Sequence, residues 1–164
     1  MNICFYGVFI NNIWDISGNM MKIVKGCRHT GIICQNINES LEFYRDFLGL
    51  SVLQDFWDDS DYINKITGIE NANVHMIKLK ADDGTIIELL DYVSHPTRLI
   101  PQEIYNTGAM HIAFQVYDID HAYKELKSKG VRFLSEPVLS SEGIAKVCFC
   151  FDPNMTRIEL VEML

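Results

Sequence analysis

His29-Thr30-Gly31-Ile32-Ile33-Cys34 and, further along, His111-Ile112-Ala113-Phe114-Gln115-Val116 decide how this chain folds: two short apolar stretches, each opened by a histidine. Asn36-Ile37-Asn38 follows the first and Asp118-Ile119-Asp120 the second, and each leads into a helical run. The offset that carries His29 onto His111 also carries Ile37 onto Ile119, Leu41 onto Tyr123 and Tyr44 onto Leu126. Such self-similarity marks a structural unit used twice.

Outward from that stretch the two units stay parallel. Ile37, Leu41, Tyr44 and Leu48 form one amphipathic stripe, and Ile119, Ala122 and Leu126 another. Asn38 and Asp120 are expected to cap the two helix starts. Gly49 and Gly130 end the helices and release the strands Gly49-Leu50-Ser51-Val52 and Gly130-Val131-Arg132-Phe133. Thr85-Ile86-Ile87-Glu88-Leu89-Leu90 then matches Thr156-Arg157-Ile158-Glu159-Leu160-Val161, at a shorter offset. The first unit therefore carries about eleven extra residues, placed near Asp55 to Lys65, where an acidic and aromatic segment reads as a loop or lid.

The reading is α+β: two βαβββ modules, 22–95 and 108–164, joined by a linker over 96–107 that Pro96 and Pro101 interrupt. The first clear strand is expected over Lys22 to Gln35, and residues 1–21 read as an appended arm or a misassigned start. Modules of about 65–75 residues are small to stand alone, so the two should pack together and share a curved sheet.

Composition narrows the functional classes. In 164 residues there are 22 acidic and 14 basic side chains, a net charge of −8, with 48% apolar types. Disorder and a collagenous chain are excluded. No apolar run reaches the roughly 18 residues of a membrane span, and an acidic chain lacks the basic face that nucleic acid requires. Cys4, Cys27, Cys34, Cys148 and Cys150 are an odd set without framework spacing, which reads as reduced thiols in a cytoplasmic protein. Cys148-x-Cys150 has the spacing of a soft-metal pair, but two small buried hydrophobes is the reading preferred.

The ionisable residues that recur are His29 and His111 on the first strands and Glu88 and Glu159 on the last. Alternation puts Glu88 on the same face as Ile86 and Leu90, where a carboxylate must be paired or bound to a cation. A lone strand histidine ordinarily belongs to core or rim, and a lone glutamate ordinarily faces water. Recurrence of both at equivalent places is what packing alone does not supply. Brought together, the four make a two-nitrogen, two-oxygen site suited to Zn, Ni, Co, Mn or Fe(II) rather than Cu(I). His75, His95 and His121 are read as structural or solvated, and Tyr92, Phe114, Phe149, Trp57 and Tyr62 as core or the walls of an apolar pocket.

With these marks the sequence resembles the vicinal oxygen chelate superfamily, which includes glyoxalase I, methylmalonyl-CoA epimerase, fosfomycin-resistance proteins and extradiol dioxygenases. The resemblance runs from Lys22 to Leu164 and rests on His29-Thr30-Gly31-Ile32, Ser40-Leu41-Glu42-Phe43-Tyr44-Arg45-Asp46-Phe47-Leu48-Gly49-Leu50 and Ile87-Glu88-Leu89-Leu90. His111-Ile112-Ala113-Phe114, Phe151-Asp152-Pro153-Asn154 and Arg157-Ile158-Glu159-Leu160 complete it. It implies a cup-shaped mixed sheet around one divalent metal held by His29, Glu88, His111 and Glu159, no organic cofactor, a small oxygen-chelating substrate and a homodimer.

All four ligand positions are filled, which points to a lyase or isomerase of the glyoxalase I (lactoylglutathione lyase-like) type. Glu159 or Glu88 would move a proton next to a metal-bound carbonyl. Three alternatives are an acyl-CoA epimerase of the methylmalonyl-CoA kind, an extradiol-type dioxygenase and a non-catalytic binding or resistance protein. Ile33 and Tyr92 stand where the resemblance places two glutathione contacts, and Asn71 where the epimerase needs a second carboxylate. The substrate is left unassigned.

Overall fold

The computed structural model describes residues 22–164, so the arm expected over 1–21 lies outside the described residues. The two glycines that the sequence places at helix ends do what only glycine does cheaply. Gly49 and Gly130 take left-handed backbone, at φ 82° and 85°, and turn each helix toward its next strand.

The first half contains β1 (Thr30–Ile33), α1 (Ile37–Leu41), β2 (Ser51–Asp58), α2 (Asp61–Thr67), β3 (Val74–Lys80) and β4 (Ile86–Asp91). Helix α1 runs on into a wider π-helical segment, Glu42–Phe47. The second half contains β5 (His111–Gln115), α3 (Ile119–Ser128), β6 (Val138–Leu139), β7 (Ala145–Phe151) and β8 (Arg157–Met163). Each half builds one mixed four-stranded sheet, in the orders β1-β4-β3-β2 and β5-β8-β7-β6. In each, a parallel pair joins first strand to last, β1 with β4 and β5 with β8.

Helices α1 and α3 each lie over one face of their sheet and share one core. Ile77, Leu79, Ile87 and Leu89 meet Ile37, Phe43 and Tyr44, and Cys148, Cys150, Ile158 and Leu160 meet Ile119 and Leu126 in the same cluster. Polar bonds also cross between the halves. Tyr44 donates to Asp152 Oδ2 at 3.0 Å, and Asn154 donates to Ser40 Oγ at 2.9 Å. Among the described residues the sheets remain two, where the sequence suggests one shared curved sheet: β1 and β5 are both outer strands there and no ladder joins them.

Four further expectations are corrected. The first strand is only Thr30–Ile33. The helix caps are Asn36 and Asp118, two residues before Asn38 and Asp120: Asn36 Oδ1 accepts from the backbone of Asn38 and Glu39, and Asp118 Oδ1 from His121. The extra segment of the first half is ordered structure, the end of β2 followed by α2, because Ile63 finds a buried place against Ala72, Val74 and Met76. In the second half the strand after Gly130 is broken, with one isolated bridge from Phe133 to Cys150 before the two-residue β6. Among the described residues no helix is long and apolar enough to cross a membrane.

Candidate functional site

Strand alternation sorts β3 and β4 into two faces. Ile77, Leu79, Ile87 and Leu89 point to the shared core, so Val74, Met76, Lys78, Glu88 and Leu90 point away from α1. Glu88 is 8% exposed in that position, and a carboxylate so placed requires partners. It has two. His29 Nε2, one residue before β1, lies 3.0 Å from Glu88 Oε2, and Lys78 Nζ lies 3.3 Å from Glu88 Oε1. Parallel pairing supplies the first by setting Gly31 opposite Glu88, and antiparallel pairing the second by setting Lys78 directly opposite it.

The second half repeats the first contact. His111 Nε2 lies 3.0 Å from Glu159 Oε2, with Ala113 set opposite Glu159 just as Gly31 is set opposite Glu88. This pair is more open, the His111 side chain being 48% exposed. The residue directly opposite Glu159 on the neighbouring strand is Phe149, whose ring meets the His111 ring edge to face with centroids 5.4 Å apart. Lys78 and Phe149 thus occupy equivalent places in the two modules.

All four sequence-selected residues fall on the sheet face away from α1 and α3, and the structure brings them together as two pairs. Among the described residues of one chain, no group of three or more His, Cys, Asp or Glu side chains lies close enough to hold an ion. Each pair nevertheless suits a divalent metal. Two donors of one ion lie about 3 Å apart when bonds of about 2.1 Å meet near a right angle, which is the nitrogen–oxygen separation found in both pairs. In the first pair the carboxylate is divided, Oε2 toward the imidazole and Oε1 toward Lys78, so one oxygen stays with the histidine.

Lys78 is the neighbour that the sequence reading missed. Its signal was the hairpin: Lys78 and Glu88 are equally far from Asp83 in the Asp82-Asp83-Gly84 turn, so a symmetric hairpin sets them opposite one another.

The remaining candidates sort cleanly. His75 stacks on Trp57 with centroids 4.3 Å apart and contacts Asp55 at 2.6 Å, on the opposite face from Glu88. His95 bonds Ser94, and the His121 backbone is capped by Asp118. Phe114 packs on the shared core, Tyr92 packs beside Met76 and Ile63, and Tyr62 is exposed. Asn71 sits at φ 54° ahead of β3, in a turn rather than on a strand. Cys148 and Cys150 are buried free thiols facing the shared core.

The chain is thus a duplicated α+β fold with a His–Glu pair on each sheet. Residues 26–160 match the family model for the glyoxalase/bleomycin resistance protein/dioxygenase superfamily, and the chain belongs to that superfamily. The Bacillus subtilis (strain 168) protein YwkD is 30% identical over 141 residues, covering 85% of this chain and 98% of its own. A probable lactoylglutathione lyase of Synechocystis sp. is 28% identical over 134 residues, covering 82% and 92%. The fold is shared with a glyoxalase family protein from Bacillus cereus, at a TM-score of 0.78 and 22% identity, over 87% of this chain and 97% of that one.

Proposed function

We propose that this chain is a divalent-metal-dependent lyase or isomerase of the glyoxalase I type, moving a proton next to a carbonyl of a small oxygen-chelating substrate. The observation that carries the reading is the pair of matched His–Glu contacts, one per module, each at 3.0 Å on corresponding strands. A 28% identical relative described as a probable lactoylglutathione lyase agrees with it. Two pairs that do not meet within one chain make one four-residue site when a second copy sets its second module against the first module of its partner. A homodimer is therefore part of the proposal.

His29, Glu88, His111 and Glu159 would hold the ion. A divalent ion there supplies Lewis-acid stabilisation of charge developing on a substrate oxygen. The chain's own residues supply the rest. Glu159, the more open carboxylate with no lysine opposite it, is the base that takes the proton, while Glu88 stays with His29. Phe149 backs the His111 ring and excludes water from one side of it. Ile33, half exposed on β1, has no polar side-chain group to offer glutathione, and Tyr92 is packed beside α2.

Elemental analysis of untagged protein tests this reading. About one transition metal per chain is expected, lost in Glu159→Ala and in His111→Ala. Mixing a His29→Ala/Glu88→Ala chain with a His111→Ala/Glu159→Ala chain should restore about a quarter of the metal, because about half of the dimers are mixed and each of these has one of its two quartets intact. Failure of the wild-type chain to retain Ni, Zn, Co, Mn or Fe(II) overturns the proposal. Metal without turnover of 2-oxoaldehyde adducts or other oxygen chelates overturns its catalytic part.

A further inference from the structure

The two modules supply their own comparison at the residue beside each glutamate. Opposite Glu159 stands Phe149, and opposite Glu88, in the same register, stands Lys78. The phenylalanine shows that this architecture needs no cation there. A mostly buried ammonium is expensive to desolvate and is weak grounds for stability, so its presence in one half only calls for another reason. Its side chain is 17% exposed, 3.3 Å from Glu88 Oε1 and 5.4 Å from the centre of the Phe56 ring.

We infer that Lys78 selects a substrate carrying a carboxylate beside its chelating oxygen, a small 2-oxo or 2-hydroxy acid. The inference rests on the metal-site reading above. With two neutral imidazoles, the charges of Glu88, Glu159 and a divalent ion cancel, and Lys78 leaves the centre with one positive charge in excess. A singly charged carboxylate balances it, whereas an uncharged ligand with the same oxygens does not. The ammonium is already on the Glu88 side of the face, and its long stem lets it turn from Oε1 to a substrate oxygen without leaving the sheet. The Phe56 ring keeps it there by a cation–π contact.

Lactate and lactamide make the test, since they share the hydroxyl and the carbonyl and differ in charge. Calorimetric titration of the metal-loaded full-length protein should show lactate binding about tenfold or more tightly than lactamide. In Lys78→Phe, the solution used by the other module, the ratio should fall to about threefold or less, with metal content unchanged, while Lys78→Arg keeps most of the preference. Lys78→Met serves the same purpose if the phenylalanine variant does not fold. Equal or undetectable binding of the two ligands by metal-loaded wild type overturns the inference and leaves the metal site standing. Loss of metal from Lys78→Phe and Lys78→Met, but not from Lys78→Arg, assigns the lysine to holding Glu88 and also overturns it. A wild-type chain that takes up no metal removes the metal-site reading, and this one with it.

Discussion

Tyr44→Phe removes one oxygen and should loosen the joint between the two halves of the molecule. Tyr44 is fully buried on the π-helical segment and donates its hydroxyl to Asp152 Oδ2 at 3.0 Å. Asp152 is itself buried, at the turn that leads into β8 and so to Glu159. Its carboxylate accepts further bonds from Asn154 N at 2.9 Å, Thr156 N at 2.6 Å and Asn154 Nδ2 at 3.3 Å. Burial pushes its pKa above the usual 3.8, and the donors from Thr156, Tyr44 and Asn154 oppose that rise. A donor to a charged acceptor contributes about 2 kcal/mol, which for a chain of this size is a fall of about 6 °C in Tm.

The pH dependence has a definite sign. A carboxyl whose folded pKa is raised favours folding most below its unfolded value and loses that contribution as pH rises through the folded value. In its charged form the buried carboxylate needs every donor. Near pH 4 it is increasingly neutral, and the penalty of Tyr44→Phe should shrink toward the ~1 kcal/mol of a neutral bond. Urea titrations of wild type and variant at both pH values give the two differences directly. An equal penalty at both would refute the role given to the carboxylate charge, and no penalty at either would refute the contact.

Three other outcomes are expected. Ile63→Ala should cost about 2–3 kcal/mol and raise hydrogen exchange in α2 and β3 well above that in β7 and β8, since Ile63 fixes α2 to Val74 and Met76; uniform exchange would count against α2 being held there. Asn36→Ala should cost about 1 kcal/mol in chemical melts, by removing the acceptor for the Asn38 and Glu39 amides, whereas Asn38→Ala should cost much less. Burial raises Cys34 and Cys148 to about 11 and Cys150 to about 12, so a thiol reagent at neutral pH should modify exposed Cys27 in the native protein and these three only after unfolding. Native labelling at any of the three, read by mass spectrometry, would refute their burial.

What could be read from the sequence followed from periodicity, and what could not followed from partners distant in the chain. His29, Glu88, His111 and Glu159 were visible because a repeat needs no structure to detect, and alternation alone put Glu88 on the face of Leu90. The sequence leaves the cap ambiguous by two residues because Asn36 and Asn38 are equally good cap types, and only the extended backbone of Asn36, at φ −138° and ψ 107°, decides between them. Helix α2 reads as a loop in sequence because its seven residues show less than two turns of pattern, and its stability comes from Ala72 and Val74 beyond its own end. The single curved sheet failed for a related reason: nothing in β1 or β5 tells whether its free edge finds a strand.

The repeat that made the fold legible also hid the most informative position. Matching the modules emphasises what they share, and at the site that is one histidine and one glutamate apiece. Their differences sit one strand away, where the first half has Lys78 and a largely buried glutamate, and the second has Phe149 and an open histidine. The first half also carries α2 on the same face as Lys78, packed on Val74 and Met76, while the second has only the two-residue β6 at its outer edge. Duplication supplies equivalent donors and cannot by itself supply two roles. Divergence at the flanking positions can, by enclosing and charging one glutamate while leaving the other open. On that reasoning, exchanging the flanking residues, Lys78→Phe together with Phe149→Lys, should move the preference for an anionic ligand to the second pair and lower turnover by crowding Glu159. Calorimetry and rate measurements on the double variant would check it, and unchanged turnover with the new lysine in place would count against Glu159 as the base.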